Sequence, residues 1–508
     1  MIGKSYSKNY LKIYLWQGIS LILNFASLFV VIPMISTDKT TYGIYTVCMS
    51  LSIFLSYADL GFLGAGQKFA AEYFARGNYA YERKIIGFTG FVLLIFLLIL
   101  STFFLFLSYM PHIVISKISE SEGVTASGLL FILAIFTPVT LLQRLVQTIF
   151  MIRMEDYVFQ RINIIGNILK ILSVFYFFGG EKYNIVGYFL FFQIVNLFTS
   201  IINLSIAKSR YKYDMYDLIK NIKCDKTIFK EVKPLAFSML FAIASWVLYY
   251  ELDTVVIGNV LGADSVAVYG VGFSFLTFIR NLLGIMFSPF STRFNHFQGM
   301  RDENGLKLLI KKIVVLYAPF VTIPLVALCF MATPFVLSWV GQEYLDAIPI
   351  VQLLVLCNIF AFISYPVGML LVAKQRLKEM YLVNVLTPIV FWSGILLTES
   401  AFGVYSFAIF KLVTFTFVAG FYYKILAEYL AIDFFYFFKK CISISVFPFL
   451  FLALYSSLID RFFLFKKGWE CFLLCATLVV IGIVISFFIQ FLVSPHMRKA
   501  FYSLQKNI

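Results

Sequence analysis

Histidine is almost missing from this chain: three copies, His112, His296 and His496, lie in separate polar gaps and form no ligand cluster. Metal catalysis therefore has no support. Charge is scarce too, at 13% of residues, where soluble domains carry about a quarter. That shortage removes the usual expectation that 508 residues form several soluble domains. The seven cysteines are an odd number; Cys48, Cys329, Cys357, Cys441, Cys471 and Cys475 sit in apolar runs and Cys224 in a basic gap. Small core residues fit that distribution better than a disulfide framework. Nucleotide motifs are lacking as well. Gly3-Lys4-Ser5 has no upstream glycine spacing, and GFLGAG at 61–66 follows no strand and fits close helix packing instead. No cofactor is implied, and uphill work would have to come from ion gradients or from the substrate's own disequilibrium.

What the chain has in plenty is apolar side chains, 61% of the total. Fourteen runs are long enough to cross a hydrocarbon core of ~30 Å as helices. They are expected near 11–35, 42–63, 84–110, 126–151, 158–178, 183–207, 234–258, 264–290, 309–332, 347–373, 380–398, 401–424, 440–459 and 470–493. The first, Leu11 to Ile35, is too long for a signal-peptide core and no small-residue cleavage pattern follows it. The expected fold is an all-α polytopic membrane protein of about 14 transmembrane helices. Only the outer gaps around 111–125 and 333–346 reach about a dozen residues, which leaves no room for a catalytic domain. The protein is not expected to be an enzyme.

Lys and Arg fall into every second gap. Of the 41, 31 lie in the terminal segments and the gaps after even-numbered helices, and six (Lys39, Lys117, Lys182, Arg461, Lys466, Lys467) lie in the opposite gaps. By the positive-inside rule the first set, with both termini, is cytoplasmic. The net charge of +15 then records topology and not nucleic-acid binding. The longest gap, Lys208 to Lys233, carries eight basic residues and is expected to hold a short amphipathic piece on the inner surface.

Three weak internal matches follow one spacing. GIYTVCMSLSIFLSYADLG (43–61) pairs with VAVYGVGFSFLTFIRNLLG (266–284), IRMEDYVFQRINI (152–164) with AKQRLKEMYLVNV (373–385), and Gln193 with Lys411, at offsets between 218 and 224. They suggest two parallel six-helix repeats, with a substrate path between them. The expected organisation is an N-terminal lobe over 1–207, a basic linker over 208–233, a C-terminal lobe over 234–427, and helices 13 and 14 with a tail over 428–508.

Seven charges fall inside spans: Arg144, Lys170, Arg280, Lys411, Asp59, Glu251 and Asp253. Each costs ~2.5–3.5 kcal/mol at mid-bilayer depth on insertion scales, so each needs a partner, water or a reason. Lys411, central to helix 12, has the strongest claim on a cavity, followed by Arg280. Arg144, two turns from the inner end of helix 4, reads rather as a snorkelling side chain, and Lys170 is balanced between the two. Asp59 and Glu251 are candidates for ion pairing or proton uptake, and Asp253 for a structural role. Asn24, Gln143, Gln147, Asn163, Asn167, Gln193, Asn196 and Asn203 lie around them. Such amides mostly hold helices together, at ~0.6–2 kcal/mol each. With four cations they could instead line a wet cavity for a large hydroxylated anion.

Two segments carry a family resemblance. YGIYTVCMSLSIFLSYADLGFLGAGQKFAAEYFARGN (42–78) resembles the first signature of the polysaccharide flippases in the multidrug/oligosaccharidyl-lipid/polysaccharide (MOP) exporter superfamily, and LDTVVIGNVLGADSVAVYGVGFSF (252–275) is similar to its second-half counterpart. The resemblance implies alternating access between lobes with a cationic cavity between them. It implies export of undecaprenyl-diphosphate-linked oligosaccharide units for surface polysaccharide (O-antigen or capsule) across a bacterial inner membrane. The partners would be the lipid-linked oligosaccharide, membrane lipids, and a polysaccharide polymerase and chain-length protein. Lys411 and Arg280 would contact phosphate or acidic sugar, with Arg144 and Lys170 behind them. Arg461, Lys466 and Lys467 depart from the expected charge pattern around helices 13 and 14. Lipid II flippases and multidrug exporters of the same superfamily are the rival readings. A membrane glycan polymerase would need a larger outer loop than this chain offers.

Overall fold

The structure, a computed structural model, describes residues 2–180, 182–299, 301–374, 376–436, 445–494 and 498. Among them every regular element is helical, with no strand. In lipid this is the expected outcome, since a helix satisfies its backbone polar groups internally. Twelve helices are long and apolar enough to cross a membrane, and a thirteenth crossing arises if one pair bent by 41°, Ala347–Ala361 with Ser364–Ala373, is a single span. The chain is a multi-pass membrane protein. The segment expected as helix 13 is described over Val446–Phe462, 17 residues, about 26 Å at the helical rise. Its expected first residues, 440–444, lie outside the described set.

The chain divides into two compact units, 1–267 and 268–508. Unit 1 contains α1 (Ile2–Ile35), α2 (Lys39–Phe54), α3 (Phe62–Ala75), α4 (Tyr79–Tyr109), α5 (Glu120–Ile152), α6 (Asp156–Phe178), α7 (Ile185–Tyr211), α8 (Met215–Lys220), α9 (Lys226–Trp246) and α10 (Leu252–Val260). In it α2 packs on α5 and α10, α3 on α4 and α9, α1 on α6, and α7 on both α5 and α6. Small residues permit the closest approaches. A Cβ at Gly66 would sit 2.2 Å from a methyl of Thr89, and one at Gly166 would sit 2.7 Å from a methyl of Thr199. One end of α4 and α5 is clasped by a buried ion pair, Arg153 to Glu82 at 2.9 Å. The rings of Phe74, Tyr211 and Tyr213 stand about the guanidinium at 4.6–5.1 Å.

Unit 2 follows from within α11 (Ala263–Gly299), through α12 (Glu303–Phe330), α13 (Ala332–Trp339), α14 (Ala347–Leu356), α15 (Asn358–Ala361), α16 (Ser364–Ala373), α17 (Leu377–Phe402), α18 (Val404–Leu430), α19 (Val446–Phe462) and α20 (Trp469–Val493). Here α12 packs on α14, α19 and α20, and α18 on α14 and α17. The outer gap expected over 333–346 is partly structured, because the mostly buried α13 lies on α20.

Two spans of unit 1 are interrupted. Between α2 and α3 the chain makes a 3-10 turn over Leu55–Tyr57 and then passes through positive φ at Leu60 (50°) and Gly61 (80°). Between α9 and α10 it widens to a π turn over Val247–Glu251. Irregular backbone at membrane depth is tolerated where it is buried in protein or lines a wet cavity.

Candidate functional site: an amide-lined cationic chamber in unit 1

The interruption after α2 frees carbonyl and amide groups that must find partners. Asp59 supplies one: its carboxylate accepts the Leu63 N–H at 3.0 Å and so caps the start of α3. Arg144 supplies another, donating through Nη2 to the Ser56 carbonyl at 3.1 Å. Only one of the five guanidinium N–H groups is needed for that bond.

Arg144 also lines a cavity of about 400 Å³, shared with Ser52, Thr140, Gln143, Gln147 and Gln193. A neighbouring cavity of about 180 Å³ is lined by Ser20, Gly166, Asn167, Lys170 and Thr199. Gln143, Gln160, Asn163 and Asn196 border both, so the two form adjoining compartments of one chamber. Lys170 donates to the Asn196 side-chain carbonyl at 2.6 Å and more loosely to that of Asn167 at 3.5 Å, with its ammonium 4.0 Å from the centre of the Phe192 ring. The network extends outward through Asn196 to Gln193 at 3.2 Å and through Asn167 to Asn24 at 3.3 Å. Among the described residues neither Arg144 nor Lys170 makes an ion pair with a carboxylate. Amide dipoles orient a cation and replace part of its hydration without cancelling its charge. The chamber therefore keeps two positive charges facing hydrogen-bonding groups that suit hydroxyls.

The acids are held differently. Glu251, at the end of the π turn, accepts Tyr57 Oη–H at 3.2 Å and Trp246 Nε1–H at 3.1 Å. It is buried, and Asp253 is fully buried with its carboxylate accepting the Thr254 N–H at 2.8 Å.

Unit 2 houses the other two cations. Lys411 is fully buried, with Nζ 4.8 Å from the Phe391 ring centre and 5.5 Å from that of Phe273. Arg280 is half-buried, 5.0 Å from the Phe415 ring centre and 6.0 Å from that of Tyr365, whose hydroxyl donates to the Arg280 carbonyl at 3.1 Å. The structure thus brings Arg144 and Lys170 together in one polar chamber and places Arg280 and Lys411 among aromatic rings. Of the amides singled out in the sequence, Gln143, Gln147, Asn163, Asn167, Gln193 and Asn196 line the chamber, and Gln160 joins them.

No protein-family profile matches the chain, and no curated protein matches it by sequence. Solved structures do. A lipid II flippase, MurJ, in an inward closed conformation superposes with a TM-score of 0.65 at 15% identity, over 94% of this chain and 98% of its own. An inward-facing multidrug resistance MATE family transporter of the MOP superfamily gives 0.58 at 13% identity, over 81% and 94%. The structural neighbours of this all-helical membrane protein are transporters of that superfamily, and it shares their fold.

Proposed function

We propose that this protein is a carrier that moves a polyprenyl-diphosphate-linked oligosaccharide from the inner to the outer leaflet of a bacterial cytoplasmic membrane, by alternating access. The observation that carries the reading is the pairing of Arg144 and Lys170 with a wall of amides and hydroxyls, free of ion-paired carboxylates. A diphosphate and several sugars cannot enter hydrocarbon unaided, whereas the polyprenyl tail remains in it. Arg144 can meet phosphate oxygens in a bidentate fork, and Lys170 acts as a point charge toward phosphate or an acidic sugar.

On this reading Arg144 and Lys170 are the contacts of the conformation described. Arg280 and Lys411, beside the rings of Tyr365, Phe415, Phe273 and Phe391, have at most a secondary part in holding the cargo. Glu251, which accepts from two neutral donors, is the better candidate for proton coupling, because Asp59 is engaged as a helix cap. Both termini face the cytoplasm, in keeping with the sorting of Lys and Arg. A polymerase and a chain-length protein would receive the product on the outer side. Lipid II as cargo is the second reading, favoured by the likeness to the lipid II flippase.

The test is transport in proteoliposomes loaded on one leaflet with fluorescent lipid-linked oligosaccharide. The parent protein should move it, and the Arg144→Gln/Lys170→Met double variant should not. Equal transport by both, or uptake of a cationic dye in place of the lipid-linked sugar, would refute the proposal.

A further inference from the structure

The segment joining α7 to α9 is fastened to unit 1 along one side only. Tyr213, Leu218 and Asn221 are buried, the first two within the core cluster that contains Ile85, Phe88 and Ile149. The Asp217 carboxylate pairs with Arg83 Nε at 2.5 Å. The backbone of Asn221 presses on α4 where that helix has no side chain, since a Cβ at Gly87 would lie 2.5 Å from the Asn221 carbonyl oxygen. The other side of α8 is bare: Tyr216 is 80% and Ile219 66% exposed, three residues apart on one helical face. Lys212, Lys220, Lys223 and Lys226, within seven residues of one or the other in the chain, are exposed as well.

Over residues 208–233 eight basic side chains stand against four acidic ones. All four acids are already engaged. Asp214 and Asp225 cap α8 and α9, Asp217 holds Arg83, and Glu231 accepts the hydroxyls of Tyr73 and Tyr81. The lysines are thus left facing outward beside an apolar pair held on a fixed support.

We infer that α8 is a foot that binds anionic phospholipid: Tyr216 and Ile219 enter the headgroup layer, and Lys212, Lys220, Lys223 and Lys226 take up lipid phosphates. The occupant is argued from the chemistry of the patch. An exposed amphipathic tyrosine and isoleucine in a lysine-rich segment match a negatively charged interface, where basic residues gain from the surface potential and apolar ones from the acyl boundary. A purely apolar partner would leave the lysines without counter-charge. The foot stands apart from the chamber, so it does not depend on the identity of the cargo.

The test uses the full chain with Cys224→Ser and a nitroxide on Ile219→Cys, in nanodiscs of phosphatidylcholine alone or mixed equally with phosphatidylglycerol. Collisions with oxygen and with a water-soluble nickel chelate report depth. In the mixed discs nickel collisions should fall at least threefold relative to phosphatidylcholine. Replacing the four lysines by Gln should abolish that fall, and replacing them by Arg should retain it. Equal water exposure in both discs, or equal burial in both, would overturn the inference. So would shielding produced only by added polyglutamate, which would assign the patch to an acidic protein.

Discussion

The two units treat intramembrane positive charge in opposite ways. In unit 1, Lys170 and Arg144 lie against amide and backbone carbonyls beside open volume. In unit 2, Lys411 has no exposed surface and lies among ring faces, with Arg280 beside two more. Amide oxygens act as a fixed substitute for water, so a cation held by them can still accept an anionic ligand. Aromatic faces stabilise a cation by their quadrupole. Charge alone does not mark a binding site in a membrane; the company it keeps decides.

Substitutions at five positions sharpen or break this contrast. The largest effect is expected from Arg144→Gln with Lys170→Met, which should lower transport at least a hundredfold at equal protein level. Lys411→Met, which keeps the apolar stem, should leave transport above half of the parent and thermal stability unchanged or raised, because a buried charge is replaced by a well-packed apolar group. If Lys411→Met abolishes transport in a folded protein, the two units do not differ as described. Next in size is Asn196→Asp, measured as affinity for inorganic diphosphate. It keeps the shape of the contact to Lys170 but adds a carboxylate, and should weaken binding about tenfold, whereas Asn196→Ala should cost less. Glu251→Gln keeps an acceptor for Tyr57 and Trp246. It should preserve folding and binding and remove the response of transport to a pH gradient; an unaltered response would restrict Glu251 to a structural role.

The smallest effect concerns the foot. The Arg83 hydrogen bond and charge hold the Asp217 carboxyl below its ordinary value. Its contribution is therefore fully present above the usual carboxylate range near ~4 and is lost as pH falls through the depressed value. Hydrogen exchange over residues 212–225 should quicken on such acidification, and Asp217→Asn should remove that dependence.

Much of the architecture was legible in the sequence because hydropathy and charge sorting act over whole spans. The run from 470 to 493 emerges as Trp469–Val493, and the run from Leu11 to Ile35 as the latter part of a longer helix, Ile2–Ile35. The breaks were less visible. GFLGAG read as close helix packing, and the π turn at Val247–Glu251 carries no glycine or proline. The surroundings of the intramembrane charges were legible only in part. Sequence gives depth along a helix and not the direction a side chain faces. Arg144, read as snorkelling, donates to the Ser56 carbonyl in the break beside it, and Lys411, read as a cavity candidate, has the rings of Phe273 and Phe391 beside it. The short foot α8 was foreseeable from the basic run, but its fastening through Gly87 depends on a contact 134 residues away.

The central claim is that the amide-lined chamber of unit 1 holds the anionic part of the cargo. Its most direct measurement is the affinity of purified protein for a short-chain polyprenyl diphosphate disaccharide, comparing Arg144→Gln/Lys170→Met with Lys411→Met. The account predicts at least a hundredfold loss for the double variant and less than a threefold change for Lys411→Met. Undiminished binding by the double variant, with binding lost in a folded Lys411→Met protein, would contradict it.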